Sequence, residues 1–596
     1  MPLHQFDYLF AIGTIFAFLD AWNIGANDVA NSWATSISSR SVTYLQAMVL
    51  AAIMEFSGSI GVGARVADTI RTKIVKTAAF ADNAPLLMLL MLCAVVSSSI
   101  WLTIATKFGM PVSTTHSIMG GVIGAGIAAL GANGIQWVGT SSGTDVINSG
   151  VVSVFVAWIV APGISACFGA IIFMSSKYLV MLRKNPVRWA FAVVPWYFGI
   201  AAALLTMLLL TKGGTIKSTL TEAGTAGVIV GVGFAFVLLV AVFLLPWLWR
   251  IIMLDDWQLK WYHIPLGPLL LRRGEVPPRP EGSQFFDFYA GHLTKEELAA
   301  KRATTGDVEQ RGGPVESTEE PKAVGDRTSS DDGADAAEQP RAGTSPKDAP
   351  YPRLGLIGPK PKGAWYTAEG LFWWFKWVIF RGVDLDIIEM QQRNSGHHKA
   401  LTGDLEEMHA HATHYDNKAE YMFSFLQVMT AATASFTHGA NDVANAIGPY
   451  ATIFQVWQSG AIPKVNGKDQ AEVPLWILAF GGIAICIGLW TYGYHIVMNL
   501  GNRLTLHSPS RGFSMELGAA VTIILATKLA LPVSTTQCIT GATVGVGFCN
   551  GDWRSINWRM VAFIYFGWIL TLPMAGIISG CLMGIIINAP RWGMTY

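Results

Sequence analysis

The sequence predicts an all-α polytopic membrane protein of about twelve transmembrane helices, organised as two inverted-topology repeats with broken or hairpin helices at the site. Three observations predict it. Of 596 residues, 52% are hydrophobic and only 14% charged, too little polar surface for a soluble chain of this size. Apolar runs long enough to cross about 30 Å of hydrocarbon recur along the chain. Two motifs each occur twice, in the same order: Gly25-Ala26-Asn27-Asp28-Val29-Ala30-Asn31 returns as Gly439-Ala440-Asn441-Asp442-Val443-Ala444-Asn445, and Pro111-Val112-Ser113-Thr114-Thr115 returns as Pro532-Val533-Ser534-Thr535-Thr536.

Candidate crossings fall near residues 6–22, 43–63, 86–106, 112–131 and 151–174, then 190–210 and 224–249. After a long polar segment they resume near 421–437, 474–498, 513–531, 533–549 and 558–588. The first run lacks a basic leader and contains Asp7 and Asp20, so it is expected to be retained rather than cleaved as a signal peptide. The resulting division is a first membrane repeat over 1–180, two linking helices over 181–250, a large hydrophilic loop over 251–420 and a second repeat over 421–596. Seven crossings separate the starts of the two Asn-Asp copies, and an odd number makes them enter the membrane from opposite faces. Repeats inverted in this way place a transport site at the bilayer midplane.

Lys177, Arg183, Lys184 and Arg188 follow the fifth crossing, and Arg250, Lys260, Arg272 and Arg273 follow the seventh, which makes that side, and the large loop, cytoplasmic. Arg65, Arg71, Lys73 and Lys76 fall on the opposite side in this scheme and run against the rule. Within the loop, residues 272–362 are rich in Pro, Gly, Ser and charge and are expected to be disordered, because they bury too little apolar area to offset chain entropy. The run from Leu371 to Phe380, too short to span and rich in Trp, predicts an interfacial helix at about 365–390. His397, His398, His409, His411 and His414 stand among Asp404, Glu406 and Glu407, which invites a metal reading; with no cysteine and no closed ligand spacing, a solvated polar helix is the expectation. The six cysteines lie in or beside apolar runs without CxxC spacing and read as packing residues. A net charge of +1 argues against a nucleic-acid partner, which would call for clustered Lys and Arg.

The motifs carry two complementary chemistries. An ionised Asp at the centre of a membrane helix costs about 2.5–3.5 kcal/mol, so Asp28 and Asp442 need partners. No Lys or Arg stands in either motif, whereas Asn27, Asn31, Asn441 and Asn445 supply neutral oxygens beside the carboxylates, a hard-oxygen set that suits a small cation. Gly25 and Gly439 predict a helix break there, exposing backbone groups to a cavity. The Pro-Val-Ser-Thr-Thr runs suit the opposite charge, since a helix start offers free N–H groups, hydroxyls and the positive end of the dipole to an oxyanion. Ser113, Thr114, Thr115, Ser534, Thr535 and Thr536 are therefore candidate ligands for a phosphate-like or sulfate-like oxyanion. A membrane phosphatase or phosphotransferase would need a nucleophile with an adjacent base, and no Ser-His-Asp order or metal-hydrolase spacing recurs in both halves, so a non-enzyme is expected.

These paired blocks resemble those of the PiT family of inorganic phosphate transporters, and the hydrophilic middle resembles its fungal-type sodium-phosphate symporters. The resemblance covers about 1–250 and 420–596. It implies inward co-transport of phosphate with sodium, with alternating access around a fixed site where the Ser-Thr-Thr runs, Asp28 and Asp442 bind phosphate beside sodium, in a plasma-membrane protein with a cytoplasmic loop and a homodimer as its candidate assembly. No cofactor is implied beyond sodium as co-transported substrate; a proton-coupled phosphate carrier or a sulfate carrier is the alternative. Glu55 and Glu516 match acidic positions important in similar proteins and are carried as second-rank ion-path residues. The halves differ in two places: His116 follows Thr115 whereas Gln537 follows Thr536, and His438 precedes the second Asn-Asp block where Ile24 precedes the first, which implies unequal cation sites.

Overall fold

The computed structural model describes residues 2–72, 77–80, 82–138, 150–212, 220–280, 284–311, 353–361, 364–393, 401, 403–462, 473–528 and 533–589. It is built of helices: α1 (Asp7–Ser38), α2 (Tyr44–Thr72), α3 (Ala84–Lys107), α4 (Thr114–Leu130), α5 (Val151–Ser176), α6 (Pro186–Lys212), α7 (Glu222–Leu239) and α8 (Leu245–Met253) precede the loop. The loop holds α9 (Lys295–Arg311), α10 (Ala368–Phe380), α11 (Ile387–Arg393) and α12 (Leu405–Ala410). The second half holds α13 (Asn417–Ser459), α14 (Leu475–Tyr492), α15 (Tyr494–Leu500), α16 (Pro509–Lys528), α17 (Thr535–Phe548) and α18 (Trp558–Asn588). Among the described residues, eight helical stretches are long and apolar enough to cross a membrane. The remaining expected stretches are also helical, but α4 and α17, at 17 and 14 residues, fall short of the ~20 that span unaided.

The two halves interlock. α1 packs on α14 as α13 packs on α2, and α4 packs on α18 as α17 packs on α5, while α1 and α13 also pack on each other. Glycine sets the closeness of the second pairing. Gly120 and Gly124 in α4, seven and eleven positions after Ser113, face the Leu572 and Gly576 carbonyls; Gly541 and Gly545, at the same offsets from Ser534, face those of Pro162 and Ala166. Small residues at these positions let helix backbones meet, the usual way helices associate where no water drives them together.

The expected break at the Asn-Asp motifs is corrected. α1 runs uninterrupted through Gly25, and α13 through Gly439. Both glycines serve close approach instead: a Cβ on Gly25 would lie 2.0 Å from the Ile485 carbonyl oxygen of α14, and one on Gly439 2.2 Å from that of Glu55 in α2. In the first half, the interruption lies at the other motif, between Phe108 and Ser113, where α3 gives way to α4.

The loop also departs from expectation. Part of the segment expected to be disordered is helical, in α9, and Tyr289 just before it is buried with its hydroxyl donating to Glu420 Oε1 at 2.9 Å. Aromatic residues Phe285, Phe286, Phe288 and Tyr289 supply the apolar area that the loop's average composition conceals. The remainder of that expectation, residues 312–352, lies outside the described residues. The Trp-rich run forms α10, capped by the Thr367 hydroxyl, with Leu371, Phe372, Phe375 and Val378 exposed along it. His397 and His398 lie outside the described residues, and the solvated-helix reading fails for their neighbours. His409 is buried, His411 Nδ1 sits 2.5 Å from Asp552 Oδ2, and His414 stacks on Tyr289.

Candidate functional site

α1 places Asp28 and Asn31 one turn apart, so that Asn31 Nδ2 donates to Asp28 Oδ1 at 3.0 Å. α13 repeats the arrangement with Asn445 and Asp442, at 3.5 Å. The starts of α4 and α17 meet these two faces. Ser113 caps α4, its hydroxyl accepting from the His116 N–H at 3.2 Å, and Ser534 stands at the corresponding position of α17 without a side-chain cap bond. The next residues reach the carboxylates: the Thr114 hydroxyl donates to Asp28 Oδ2 at 2.8 Å, and that of Thr535 to Asp442 Oδ2 at 3.0 Å.

The asparagines then cross between halves. Asn31 Nδ2 donates to Thr536 Oγ1 at 2.9 Å and approaches Thr535 Oγ1 at 3.3 Å; Asn445 Nδ2 reaches Thr114 Oγ1 and Thr115 Oγ1, both at 3.1 Å. Thr536 closes the lattice by donating to Asp28 Oδ1 at 3.0 Å. Thus each Asp is held by the Ser-Thr-Thr run of its own half, Asp28 also by Thr536 of the other, and each Asn is held by the run of the opposite half. All of these side chains are buried. Asn31 Oδ1 is buried with no hydrogen-bond partner, leaving a neutral oxygen on the amide that donates to Asp28.

His438 stands between the acids. Its Nε2 is 2.9 Å from Asp442 Oδ2 and 3.6 Å from Asp28 Oδ2, and its Nδ1 is 2.7 Å from Glu55 Oε2. Asp28, His438 and Asp442 each present a ligand atom within 4.8 Å of the others. Three carboxyl groups around one imidazole would, when ionised, outweigh its positive charge, a balance that favours small cations. Glu55 therefore belongs to this cluster directly, also accepting from Ser435 at 3.0 Å. Glu516, on α16, faces a later turn of α1, where its carboxylate accepts from Thr35 at 2.5 Å and Ser36 at 2.8 Å, and from Thr430 at 2.5 Å and Gln427 at 3.3 Å on α13.

Two expected ligands sit differently. Asn27 is turned to the α3–α4 connection, its amide donating to Thr106 Oγ1 and the Met110 carbonyl while its oxygen accepts from the Val112 N–H. It holds the start of α4 in place rather than joining the carboxylates. Asn441 is only half-buried. His116 takes a hydrogen bond from the Trp158 indole at 3.3 Å, away from the acids. Reading the motifs alone missed Asp20, fully buried with neither carboxylate oxygen hydrogen-bonded, and the hydroxyl shell of Glu516. The only signal for either was an acid inside an apolar run.

Comparison with known proteins supplies the frame for this geometry. The chain is 65% identical, over the full length of both, to the phosphate-repressible phosphate permease pho-4 of Neurospora crassa. It is 26% identical to the mouse sodium-dependent phosphate transporter 1, covering 98% of this chain and 96% of that protein. A solved structure of a sodium-dependent phosphate transporter shares the fold, with a TM-score of 0.60 at 24% identity over 98% of this chain and all of that one. Residues 24–579 match the model of the phosphate transporter family, a span that takes in both Asn-Asp blocks and both Ser-Thr-Thr runs, and the chain belongs to that family.

Proposed function

We propose that this protein carries inorganic phosphate into the cell together with sodium, by alternating access around the crossed Asp-Asn-Thr lattice. That lattice is the observation that carries the reading, because it joins cation chemistry and anion chemistry through shared atoms. As it stands, the Thr114, Thr535 and Thr536 hydroxyls are spent on carboxylate oxygens. A sodium ion on Asp28, Asp442 and the Asn31 oxygen competes for those same oxygens, and the hydroxyls, with Ser113, Thr115 and Ser534, turn to a tetrahedral anion. Cation binding also removes the repulsion that phosphate would meet from Asp28 and Asp442. Sodium therefore binds first.

Asn445 completes the cation set from the second half, Asn441 lies at its edge, and Glu55 and Glu516 bind ions along the approach. The two interlocked halves act as inverted repeats that rock about the site. Two sodium ions with one monovalent phosphate would move a net charge inward, and 100 mV then contributes about 2.3 kcal/mol, roughly fifty-fold accumulation. The membrane is the plasma membrane, the large loop faces the cytoplasm, and α10 lies in the headgroup zone; the chain performs no catalysis.

Uptake of labelled phosphate into proteoliposomes tests the coupling. An inward sodium gradient is expected to drive uptake, and choline in its place to reduce it to background at every pH; uptake that persists in choline and follows a proton gradient would favour proton coupling instead. The hydroxyl claim has its own test. Thr114→Val is expected to lower phosphate uptake about 10–100-fold, the loss of one charge-assisted hydrogen bond, while Thr114→Ser retains most of it. Equal uptake by the two variants would remove Thr114 from the site.

A further inference from the structure

We propose a second site for a tetrahedral phosphate-class oxyanion, on the large-loop side of the protein, in the cavity bounded by Arg503, His292 and His409. The cavity measures about 180 Å³ and is also lined by Asn502, Gln391 and Glu406. That is about six water volumes, enough for a phosphate group with part of its hydration.

Arg503 carries the argument. It lies in the turn between α15 and α16, is 2% exposed, and its Nη1 donates to Asn499 Oδ1, but Nε and Nη2 have no hydrogen-bond partner. Burial lowers the guanidinium to about 10, so it remains cationic at neutral pH. A buried cation with two unused donors on one edge is costly unless an acceptor arrives, and the Nε and Nη2 edge is the fork that matches two oxygens of a phosphate.

The histidines are ordered to complement it. His409 Nε2 lies 2.6 Å from the Asn502 carbonyl oxygen, which can only accept, so that nitrogen carries the proton and Nδ1 is left to accept. His292 Nδ1, 3.1 Å from His409 Nδ1, is then the donor, and His292 Nε2 remains for a ligand. Arg40 adds a positive charge near His292, while burial holds His409, His414 and His507 toward the neutral form. The opposing charge, Glu406, is largely exposed to solvent and pairs with Lys301 at 3.0 Å. Burial holds the His292 imidazole neutral, so its Nε2 accepts from a protonated oxygen of the anion while Arg503 meets the charged oxygens.

The location links this cavity to the transport site without merging them. From Asn31, α1 presents Thr35 and Ser36 to Glu516 and then Ser38, whose hydroxyl meets Gln391 and whose carbonyl accepts from Asn502 Nδ2 at 3.1 Å. Seven residues of helix separate Asn31 from Ser38, about 10 Å. An anion leaving toward the loop would meet Arg503 next.

The test is equilibrium binding of labelled inorganic phosphate to the purified full-length protein in choline buffer without sodium, with a nucleoside monophosphate as competitor. The expected result is about one phosphate per chain, retained in Asp28→Asn and weakened at least about tenfold in both Arg503→Gln and His292→Ala. Competition by the monophosphate would assign the site to phosphomonoesters as well as free phosphate; its absence would restrict it to free phosphate. Arg503→Gln is checked by its melting temperature, and His292→Ala, in a loop outside the membrane helices, keeps the test independent of α16 packing. No sodium-independent binding, or binding lost in Asp28→Asn but unchanged in properly melting Arg503→Gln and His292→Ala, would overturn the proposal. Sodium-dependent uptake in Arg503→Gln reads the central site separately.

Discussion

Asp28→Asn and Asp442→Asn are each expected to lower sodium-driven phosphate uptake at least about 100-fold while leaving the protein in the membrane. Asparagine preserves shape and one acceptor oxygen, so the Thr114 or Thr535 hydroxyl keeps a partner. What disappears is the negative charge that binds the cation, in a cluster where His438 then faces one acid fewer. Removing one member of a buried charge group costs about 3–5 kcal/mol, which is more than two decades in rate if it falls on the loaded state. The measurement is initial uptake in proteoliposomes against reconstituted protein amount, with sodium varied; a shift in apparent sodium affinity should accompany the loss. Normal uptake by either variant would count decisively against carboxylate-bound cations as the coupling device.

Gly439→Ala is expected to remove folded protein rather than function alone. The added carbon would sit 2.2 Å from the Glu55 carbonyl oxygen and 2.7 Å from its Cα, backbone atoms that move only if α2 and α13 part. Overpacking of a rigid contact costs about 3 kcal/mol or more, and here the displaced segment also carries Glu55 and His438. Gly25→Ala should behave alike against Ile485, whereas Gly227→Ala in α7, with nothing within 4 Å of the new carbon, serves as the control. Size-exclusion profiles and unfolding temperatures in detergent report the outcome. Wild-type behaviour of Gly439→Ala would mean that the helices can separate cheaply at the site.

Much of the candidate site was legible because duplication singles out residues independently of any fold. The paired Asp, Asn and Ser-Thr-Thr residues converge, and the His438 asymmetry visible against Ile24 becomes the imidazole at the centre of the acids. Two errors have physical causes. Gly25 and Gly439 suggested broken helices because glycine disfavours helix interiors, yet the same missing side chain permits backbone contact, and sequence does not say which use is made of it. Asn27, chemically identical to Asn31 and four residues away, was expected to share its role, but four residues along a helix do not fix where an amide turns when Thr106 and Val112 compete for it. In the loop, averaged composition hid the local burial of Tyr289 and His409.

One ring and three acids make the two halves non-equivalent at their shared centre. If the halves exchange inward and outward access as proposed, the two openings cannot be energetically identical, since only one half brings a nitrogen base to the seam. An offset of about 1.4 kcal/mol already tilts such a pair tenfold. Under the proposed mechanism, a carrier built this way would rest with a preference for one side of the bilayer, set by which opening leaves His438 in touch with Glu55 and Asp442 together.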